Sequence, residues 1–244
     1  MCSSDLRMIR TGKIQLMINQ ALRDPKSIAV VGGSNDIRKP GGKVLKNIID
    51  GGYPGRLYVV NQKEQQVQGI DCFPTVGHLD QVDLAILSIP ARFCPAVVEK
   101  LAAQKGTRAF IIVSAGFGEA GDAGKALEKQ LVEIVEAHDA CLIGPNCIGI
   151  LNRNYHGVFT TPIPELHQQG CDLVSSSGAT AVFIMEAGIP HGLKFSSVYS
   201  VGNSAQVGVE DVLEYMDLNH DPEKDAPVKL LYLESVDRKS TRLN

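Results

Sequence analysis

The chain has 244 residues, of which 44% are apolar and 21% are charged, as is ordinary for a globular protein with one large domain or two smaller ones. Its formal net charge of −3 excludes the global positive field that favours binding to nucleic acid or an acidic membrane. Its apolar runs fall well short of the ~20 residues of a membrane span, and a secretory leader is not expected. Six cysteines without CxxC spacing or a zinc-like cluster are typical of a reducing compartment, so we expect a cytoplasmic protein.

The two ends of the chain are polar and aperiodic. Residues 1–6 (MCSSDL) and 237–244 (DRKSTRLN) are similar to translated sequencing-adapter sequence, although ordinary frayed termini share these properties. We expect residues 1–13 to be a non-native leader and residues 237–244 to be a non-native tail, and both stay outside the functional argument.

Between these ends, strand and helix patterns alternate. A first helix is predicted from apolar residues at helical spacing, namely Ile14, Met17, Ile18 and Leu22. Strands are predicted at residues 27–31, 57–60, 84–87, 109–113 and 141–143, and helices near residues 44–49, at 93–104 and at 122–138. Continuous apolar strands between amphipathic helices are typical of a parallel sheet covered on both faces. Residues 14–152 are therefore predicted to form a Rossmann-like α/β domain.

A second α/β pattern follows. Residues 153–170 are rich in Pro, His and Gln and lack periodicity, which indicates a connection between domains. Strands are predicted at residues 171–174, 195–200 and 228–233, and helices at 178–188 and 209–216. Three strands make an incomplete sheet, so we expect residues 153–236 to form a truncated α/β domain.

A glycine turn follows the first predicted strand, with the sequence Gly32, Gly33, Ser34 and Asn35. In an open α/β sheet, ligands bind beyond the carboxyl ends of the strands, and glycine lets the backbone approach a diphosphate beside a helix N-terminus. The full G-x-G-x-x-G pattern is absent, so a plain strand-to-helix turn explains this loop equally well.

The end of the second strand discriminates between nucleotides. NAD-binding folds usually place an acidic residue there to hold the ribose hydroxyls. Asn61 and Lys63 take that place here, which favours a ribose that carries a phosphate, as in coenzyme A (CoA) or NADP. A solvated loop lysine would have the same pattern.

Two further strand ends carry rigid or small residues. Ile89 and Pro90 follow one strand, and a loop from Ser114 through Gly116 to Glu119 follows the next. Turn chemistry alone accounts for one such loop. Several loops at one sheet edge favour a binding crevice.

Five segments in this order resemble a known family. They are SIAVVGGS (27–34), GGYPG (51–55), VNQK (60–63), SAGFGE (114–119) and GPNCIG (144–149). Together they resemble the CoA-binding domain of ADP-forming acetyl-CoA synthetases, which are NDP-forming acyl-CoA synthetases and relatives of the succinyl-CoA synthetase α subunit. The resemblance covers about residues 15–236, with two departures, Gly33 for the commoner Ala and Gln62 for the commoner Pro.

This resemblance implies a Rossmann-like CoA-binding parallel sheet followed by an incomplete flavodoxin-like domain of the succinyl-CoA-synthetase type. It implies that the CoA phosphates lie on the glycine turn. The other implied CoA residues are Lys63 beside Asn61 at the nucleotide, Ile89 and Pro90 along the wall, Ser114, Gly116 and Glu119 along the pantetheine path, and Asn146 and Cys147 at the thiol end.

The second domain carries a candidate phosphate site. Ser176, Ser177 and Gly178 open a predicted helix, where hydroxyl and N–H groups suit an anion, although N-capping by serine has the same signature. By resemblance, this helix terminus receives a phosphate or phosphohistidine. Glu234 is similarly implied to orient the catalytic histidine.

The implied reaction converts an acid, CoA and ATP into acyl-CoA, ADP and phosphate, with a histidine as phosphoryl carrier. None of the six histidines lies in the family's Ser-His-Thr-Gly setting, and the ATP-grasp region that binds nucleotide and Mg²⁺ is not recognised. We therefore expect this chain to bind CoA or acyl-CoA without turnover. Expected partners are an ATP-grasp domain or subunit and further copies in an oligomer, but neither nucleic acid nor a membrane.

Two other functions stay open at this point. The same domains occur in ligase-inactive protein acetyltransferases that sense acyl-CoA. An NAD(P)-binding dehydrogenase or redox sensor is the second alternative, and the missing acidic residue near Asn61 argues against its NAD form.

Overall fold

The computed structural model describes residues 17–234, and the first of its two β-sheets has seven strands. They are β1 Ser27–Val31, β2 Arg56–Val60, β3 Gln66–Val67, β4 Ile70–Phe73, β5 Leu84–Leu87, β6 Ala109–Ile112 and β7 Cys141–Ile143. Their order is β3-β4-β2-β1-β5-β6-β7, and every neighbouring pair is parallel except β3 with β4. The carboxyl ends of the other six strands therefore lie at one edge.

Four α-helices accompany this part of the chain: α1 Gln20–Arg23, α2 Pro40–Asp50, α3 Cys94–Lys105 and α4 Asp122–Ala137. Every residue of β1, β5 and β6 is buried, as expected for strands covered on both faces. The predicted Rossmann-like arrangement is confirmed.

The second sheet has five strands where the sequence predicts three. They are β8 Gly149–Leu151, β9 His156–Val158, β10 Leu166–Ser175, β11 Phe195–Ser200 and β12 Val228–Tyr232, in the order β12-β10-β11-β8-β9. Strand β10 is parallel to β11 and β12, whereas β8 is antiparallel to both β11 and β9. The helices α5 Gly178–Gly188 and α6 Val209–Leu218 complete this part.

The segment expected to be an aperiodic connection, residues 153–170, instead contains β9 and the start of β10. Strands of three residues are too short to show hydrophobic alternation, so the β8–β9 hairpin could not be predicted from the sequence pattern. The expected boundary at residue 152 falls between these two strands.

The first predicted helix is interrupted within the described residues: Met17 is helical, Ile18 and Asn19 are not, and α1 begins at Gln20. The Asn19 side chain accepts the Leu22 N–H at 3.0 Å and so caps this helix. The proposed leader and tail lie outside the described residues. No helix within residues 17–234 has the length and apolar character needed to cross a membrane.

The two sheets share buried contacts. Tyr155, between β8 and β9, is 2% exposed, and its hydroxyl donates to the Leu22 carbonyl at 2.8 Å. Asn47 of α2 donates to the carbonyls of Val158 and Thr160 at 2.7 and 3.0 Å. These contacts hold the β8–β9 hairpin and the residues that follow it against the helices α1 and α2, which accompany the first sheet.

Candidate functional site

The glycine turn lies at the carboxyl end of β1, where the backbone is tightly enclosed. Gly32 has a φ of +88°, and its N–H donates to the Val60 carbonyl at 2.9 Å. A Cβ at Gly32 would collide with the Ser88 carbonyl, and one at Gly33 would lie 2.6 Å from the Val59 side chain. Only glycine fits this path, because Gly32 needs a left-handed backbone and both positions lack room for a side chain.

The same turn touches the start of α2. A Cβ on Gly41 would collide with the Gly32 carbonyl, and one on Gly42 would collide with the Asp36 carbonyl. Pro40 occupies the first helical position and has no N–H, so Gly41 and Gly42, which are both buried, carry the first N–H groups of this helix terminus. The sequence analysis missed these two glycines, although a Pro-Gly-Gly run after a predicted turn is a helix-start signal.

The β3–β4 hairpin closes over this region. Its turn, Gln68–Gly69, has φ values of +50° and +82°, as in a two-residue hairpin turn. The Gln68 side chain donates to the carbonyls of Ser34 and Gly42 at 2.9 and 2.8 Å, and the Asn35 side chain accepts the Gln68 N–H at 2.8 Å. Asn35 is therefore used to hold the hairpin, and Gln68 is a site residue that the sequence analysis did not find.

Asn61 has a positioning role at the end of β2. Its amide donates to the Gly33 carbonyl at 2.8 Å, and its oxygen accepts the N–H groups of Lys63 and Glu64 at 2.8 and 3.2 Å. This turn presents Lys63, whose side chain is exposed, beside the glycine turn.

Charge near the start of α2 is mostly positive. Arg38 donates to both carboxylate oxygens of Asp36, at 2.9 and 3.0 Å, and these hydrogen bonds lower the pKa of Asp36 to about 2. The pair is close to neutral in sum, which leaves Lys39 and Lys43 as a positive contribution. The region thus suits a phosphorylated ligand.

The wall predicted from Ile89 and Pro90 follows β5. The Ile89 side chain lies 3.0 Å from where a Gly32 Cβ would stand, so it borders the glycine turn. The Ser114 hydroxyl donates to the Ile89 carbonyl at 2.6 Å, which ties the loop after β6 to this wall. The geometry brings together these sequence-predicted residues from three neighbouring strand ends.

Glu119, in the same loop, uses its carboxylate for contacts within the protein. Its carboxylate accepts the N–H groups of Gly116 and Phe117 at 2.5 and 3.2 Å, and it also accepts the Asn203 amide at 2.5 Å. Partial burial acts to raise the pKa of Glu119, but these hydrogen bonds outweigh it and the pKa lies below its ordinary value. Its carboxylate is thus engaged within the protein, a contact 84 residues apart that the sequence could not reveal.

A separate cleft of about 950 Å³ lies between the two sheets. It is lined by the predicted residues Asn146, Cys147, Ser176, Ser177, Gly178 and Glu234, together with Asn203, Glu210 and apolar residues that include Ile148, Phe159 and Val209. The expected thiol end, phosphate site and catalytic carboxylate therefore share one space. The glycine turn and Lys63 do not line it.

The neighbours Asn146 and Cys147 differ in exposure. Asn146 is exposed, with a φ of +58°, and its N–H donates to the Ser114 carbonyl at 3.0 Å. Cys147 is 2% exposed, its thiol donates to the Ile112 carbonyl at 3.4 Å, and burial raises its pKa to about 12. The thiol of Cys147 is thus a packing group, and Asn146 is the polar side chain at this end of the cleft.

The start of α5 combines a cap with a rigid backbone. The Ser177 hydroxyl accepts the Thr180 N–H at 3.2 Å, as an N-cap does, and a Cβ on Gly178 would lie 2.7 Å from the Ile148 side chain. The Ser176 hydroxyl accepts the Glu234 N–H at 3.0 Å, which holds Glu234 beside the helix start. Within residues 17–234, no cluster of three or more His, Cys, Asp or Glu could hold a metal ion.

Two family models match consecutive segments of the chain, one for each β-sheet region. Residues 26–153 match the model of the CoA binding domain, which is more than half of the chain. The chain belongs to the CoA binding domain family. Residues 168–243 match a second model, the succinyl-CoA ligase like flavodoxin domain. The family resemblance predicted from the sequence is confirmed.

Curated relatives are longer chains that match most of this one. The chain is 36% identical over 215 residues to the α subunit of ADP-forming acetate–CoA ligase II from Pyrococcus furiosus, covering 87% of this chain and 45% of the relative. It is 37% identical over 216 residues to ADP-forming acetate–CoA ligase I from Archaeoglobus fulgidus, covering 87% of this chain and 30% of that relative. The chain thus spans less than half of either relative.

A solved structure agrees in fold. The dinucleotide-forming acetyl-coenzyme A synthetase 1 of Ca. Korarchaeum cryptofilum, in complex with phosphate and ADP, superposes with a TM-score of 0.80 at 30% identity. The match covers 90% of this chain and 46% of that one. The predicted fold class, a CoA-binding sheet followed by a succinyl-CoA-ligase-like domain, is therefore confirmed.

Proposed function

We propose that this chain binds CoA through its CoA binding domain and acts within an NDP-forming acyl-CoA synthetase. The main support is the contact of Gly32 with Gly41. There the loop after β1 lies directly on the first turn of α2, and neither position has room for a side chain. A diphosphate needs this kind of close backbone approach and the N–H groups of a helix terminus. The match to the CoA binding domain supports CoA as that ligand.

The residues fit CoA in the following roles. The glycine turn with Ser34, and the N–H groups of Gly41 and Gly42, would hold the diphosphate, while Asn35 would keep the hairpin closed over it. Lys63, positioned by Asn61, would hold a ribose phosphate. Ile89 and Pro90 would line the wall, Ser114 and Gly116 would border the pantetheine path, and Asn146 and Cys147 would lie at the thiol end.

The cleft between the sheets would serve the phosphoryl chemistry of the parent enzyme. Ser176, Ser177 and Gly178 line this cleft at a positive helix end, where their hydroxyl and N–H groups would hold a phosphate. Glu234 would orient the imidazole of a phosphorylated histidine by accepting its N–H, as carboxylates do. That histidine would come from outside residues 17–234.

For the whole enzyme we propose conversion of an acid, CoA and ATP into acyl-CoA, ADP and phosphate. An ATP-grasp domain or subunit would bind the nucleotide and Mg²⁺, and the assembly would be an oligomer in the cytoplasm. The α-subunit relative from P. furiosus supports a partner subunit. The ADP and phosphate bound in the korarchaeal enzyme support the choice of nucleotide.

Calorimetric titration of the purified chain with CoA, dephospho-CoA and NADH tests the proposal. We expect saturable binding of CoA, weaker binding of dephospho-CoA because one phosphate is missing, and no binding of NADH. Binding of NADH without binding of CoA would replace the proposal with an NAD-dependent function. Equal affinity for CoA and dephospho-CoA would keep CoA binding but remove the role of Lys63.

A further inference from the structure

The side chain of Asn203, in the loop after β11, connects the two parts of the molecule. Its amide nitrogen donates to the carboxylates of Glu119 and Glu128, at 2.5 and 2.9 Å. Its oxygen accepts the Asn146 amide at 3.3 Å. One side chain of the succinyl-CoA ligase like domain is thus bonded to three side chains that precede that domain.

The backbone around Asn203 is equally constrained. Its N–H donates to the Pro145 carbonyl at 2.9 Å. Gly202 and Ser204 both have a φ of +54°, and a Cβ on Gly202 would collide with the Pro145 carbonyl. A non-glycine residue in the left-handed region is uncommon and is retained where surrounding contacts enforce it. Residues 202–204 line the cleft with Asn146, so this loop forms a fixed part of the cleft wall.

The two glutamates transmit this position to the loop after β6. Glu119 accepts the N–H groups of Gly116 and Phe117, and Glu128 accepts the Gly118 N–H at 3.1 Å. The Gly116 backbone lies against Ala91, where a Cβ would come within 3.2 Å. A movement of Asn203 would therefore move the part of this loop that borders the proposed CoA crevice.

We propose that Asn203 is a positioning residue that couples the phosphate cleft to the CoA crevice, an inference that rests on the proposed function. An anion at the start of α5 restrains the cleft wall at residues 202–204. The Asn203 amide carries that restraint to Glu119 and Glu128, and thus to residues 116–118. A crevice rim that is already ordered loses less conformational freedom on binding CoA, so phosphate strengthens CoA binding.

The test is the CoA dissociation constant with and without saturating inorganic phosphate, for the full chain and three variants. In the wild type we expect phosphate to lower the Kd about fivefold, at the lower end of measured coupling between sites. Asn203→Ala removes the shared donor, so the ratio of the Kd for CoA without phosphate to the Kd with phosphate should fall close to one. Asn203→Leu keeps a similar size and adds no charge to the cleft but cannot donate to the glutamates, so it should give the same result if the alanine variant is unstable.

Gln206→Ala is the matched control. Gln206 lies in the same loop and also reaches the first sheet, accepting the Leu142 N–H at 2.7 Å and donating to the Ala140 carbonyl at 3.2 Å, but it does not touch the glutamates. Its ratio should equal that of the wild type, even if its melting temperature falls. A merely structural Asn203 would lower stability and leave the ratio unchanged, which would overturn the inference, as would a wild-type ratio of one. A wild-type chain that binds no CoA would overturn the proposed function as well.

Discussion

The carbonyl oxygen of Gly32 occupies the space that a Cβ on Gly41 would need, so the loop after β1 and the first turn of α2 meet backbone to backbone. This contact fixes where the donors of the helix terminus stand relative to the turn. Because neither side of the contact has a flexible side chain that could move aside, even an added methyl group should lower stability and CoA affinity.

Gly41→Ala should therefore damage the CoA site. The added methyl group forces the turn or the helix to shift, at a cost of about 2 kcal/mol in folding free energy. If about two-thirds of that displacement energy appears in ligand binding, CoA affinity falls roughly tenfold. Calorimetry checks the affinity and urea unfolding checks the stability. Asp50→Ala, at the exposed far end of the same helix, is the control. An unchanged CoA affinity in Gly41→Ala would contradict the proposed diphosphate site.

Lys63→Ala should weaken CoA binding selectively. An exposed lysine beside a phosphate contributes about 1 kcal/mol, which is about fivefold in Kd at low salt, and less at high salt because the interaction is screened. Dephospho-CoA should bind the variant and the wild type equally. Lys129→Ala, at an exposed lysine on α4 that pairs with Glu133 and has no proposed role in CoA binding, removes the same charge and should change the affinity for neither ligand. A loss shared equally by both ligands would place Lys63 elsewhere on CoA.

Three substitutions of Ser177 separate helix capping from anion binding. Ser177→Ala loses the cap and should lower stability by about 1 kcal/mol. Ser177→Asn keeps both the cap and neutrality. Ser177→Asp keeps the cap and favours the helix dipole, but it places a negative charge where the anion would sit.

We therefore expect Ser177→Asp to melt at the same temperature as the wild type and yet to lose phosphate binding. Broadening of the ³¹P NMR line of phosphate on addition of protein measures that binding. Ser177→Asn should retain that binding. If the Asp variant binds phosphate as well as the Asn variant does, the start of α5 is a capped helix and nothing more.

The alternation of strands and helices could be predicted because each central strand is a continuous apolar run. Ala109–Ile112 is buried at every residue, which leaves an unmistakable pattern. The β8–β9 hairpin had no such pattern, since Gly149–Leu151 and His156–Val158 are three residues each. The pairing of β8 with β11 depends on residues almost fifty positions away, which local periodicity cannot express.

The site residues show the same contrast between local patterns, which can be predicted, and long-range contacts, which cannot. The glycine turn could be found from Gly32 and Gly33, because positive φ and close approach select for glycine locally. The orientation of Glu119 could not, because its partner Asn203 lies 84 residues away. The family resemblance implies that Glu119 borders the pantetheine path, and the structure adds that its carboxylate is bonded to Asn203 of the neighbouring domain.

The hydrogen bonds of Glu119 should also make stability depend on pH. The pKa of its carboxyl in the folded chain lies below the ordinary 4.5, so the unfolded chain binds this proton more tightly. Its contribution is present above that ordinary value and is lost as the pH falls through the lower, folded value. The wild-type free energy of unfolding should therefore fall more steeply than that of Glu119→Gln as the pH is lowered from about 5 to about 3. Urea unfolding at several pH values measures this difference, with Glu133→Gln on α4 as the matched acid-to-amide control. Parallel curves for the wild type and Glu119→Gln would mean that the carboxylate is not held by Asn203 and the loop amides in solution.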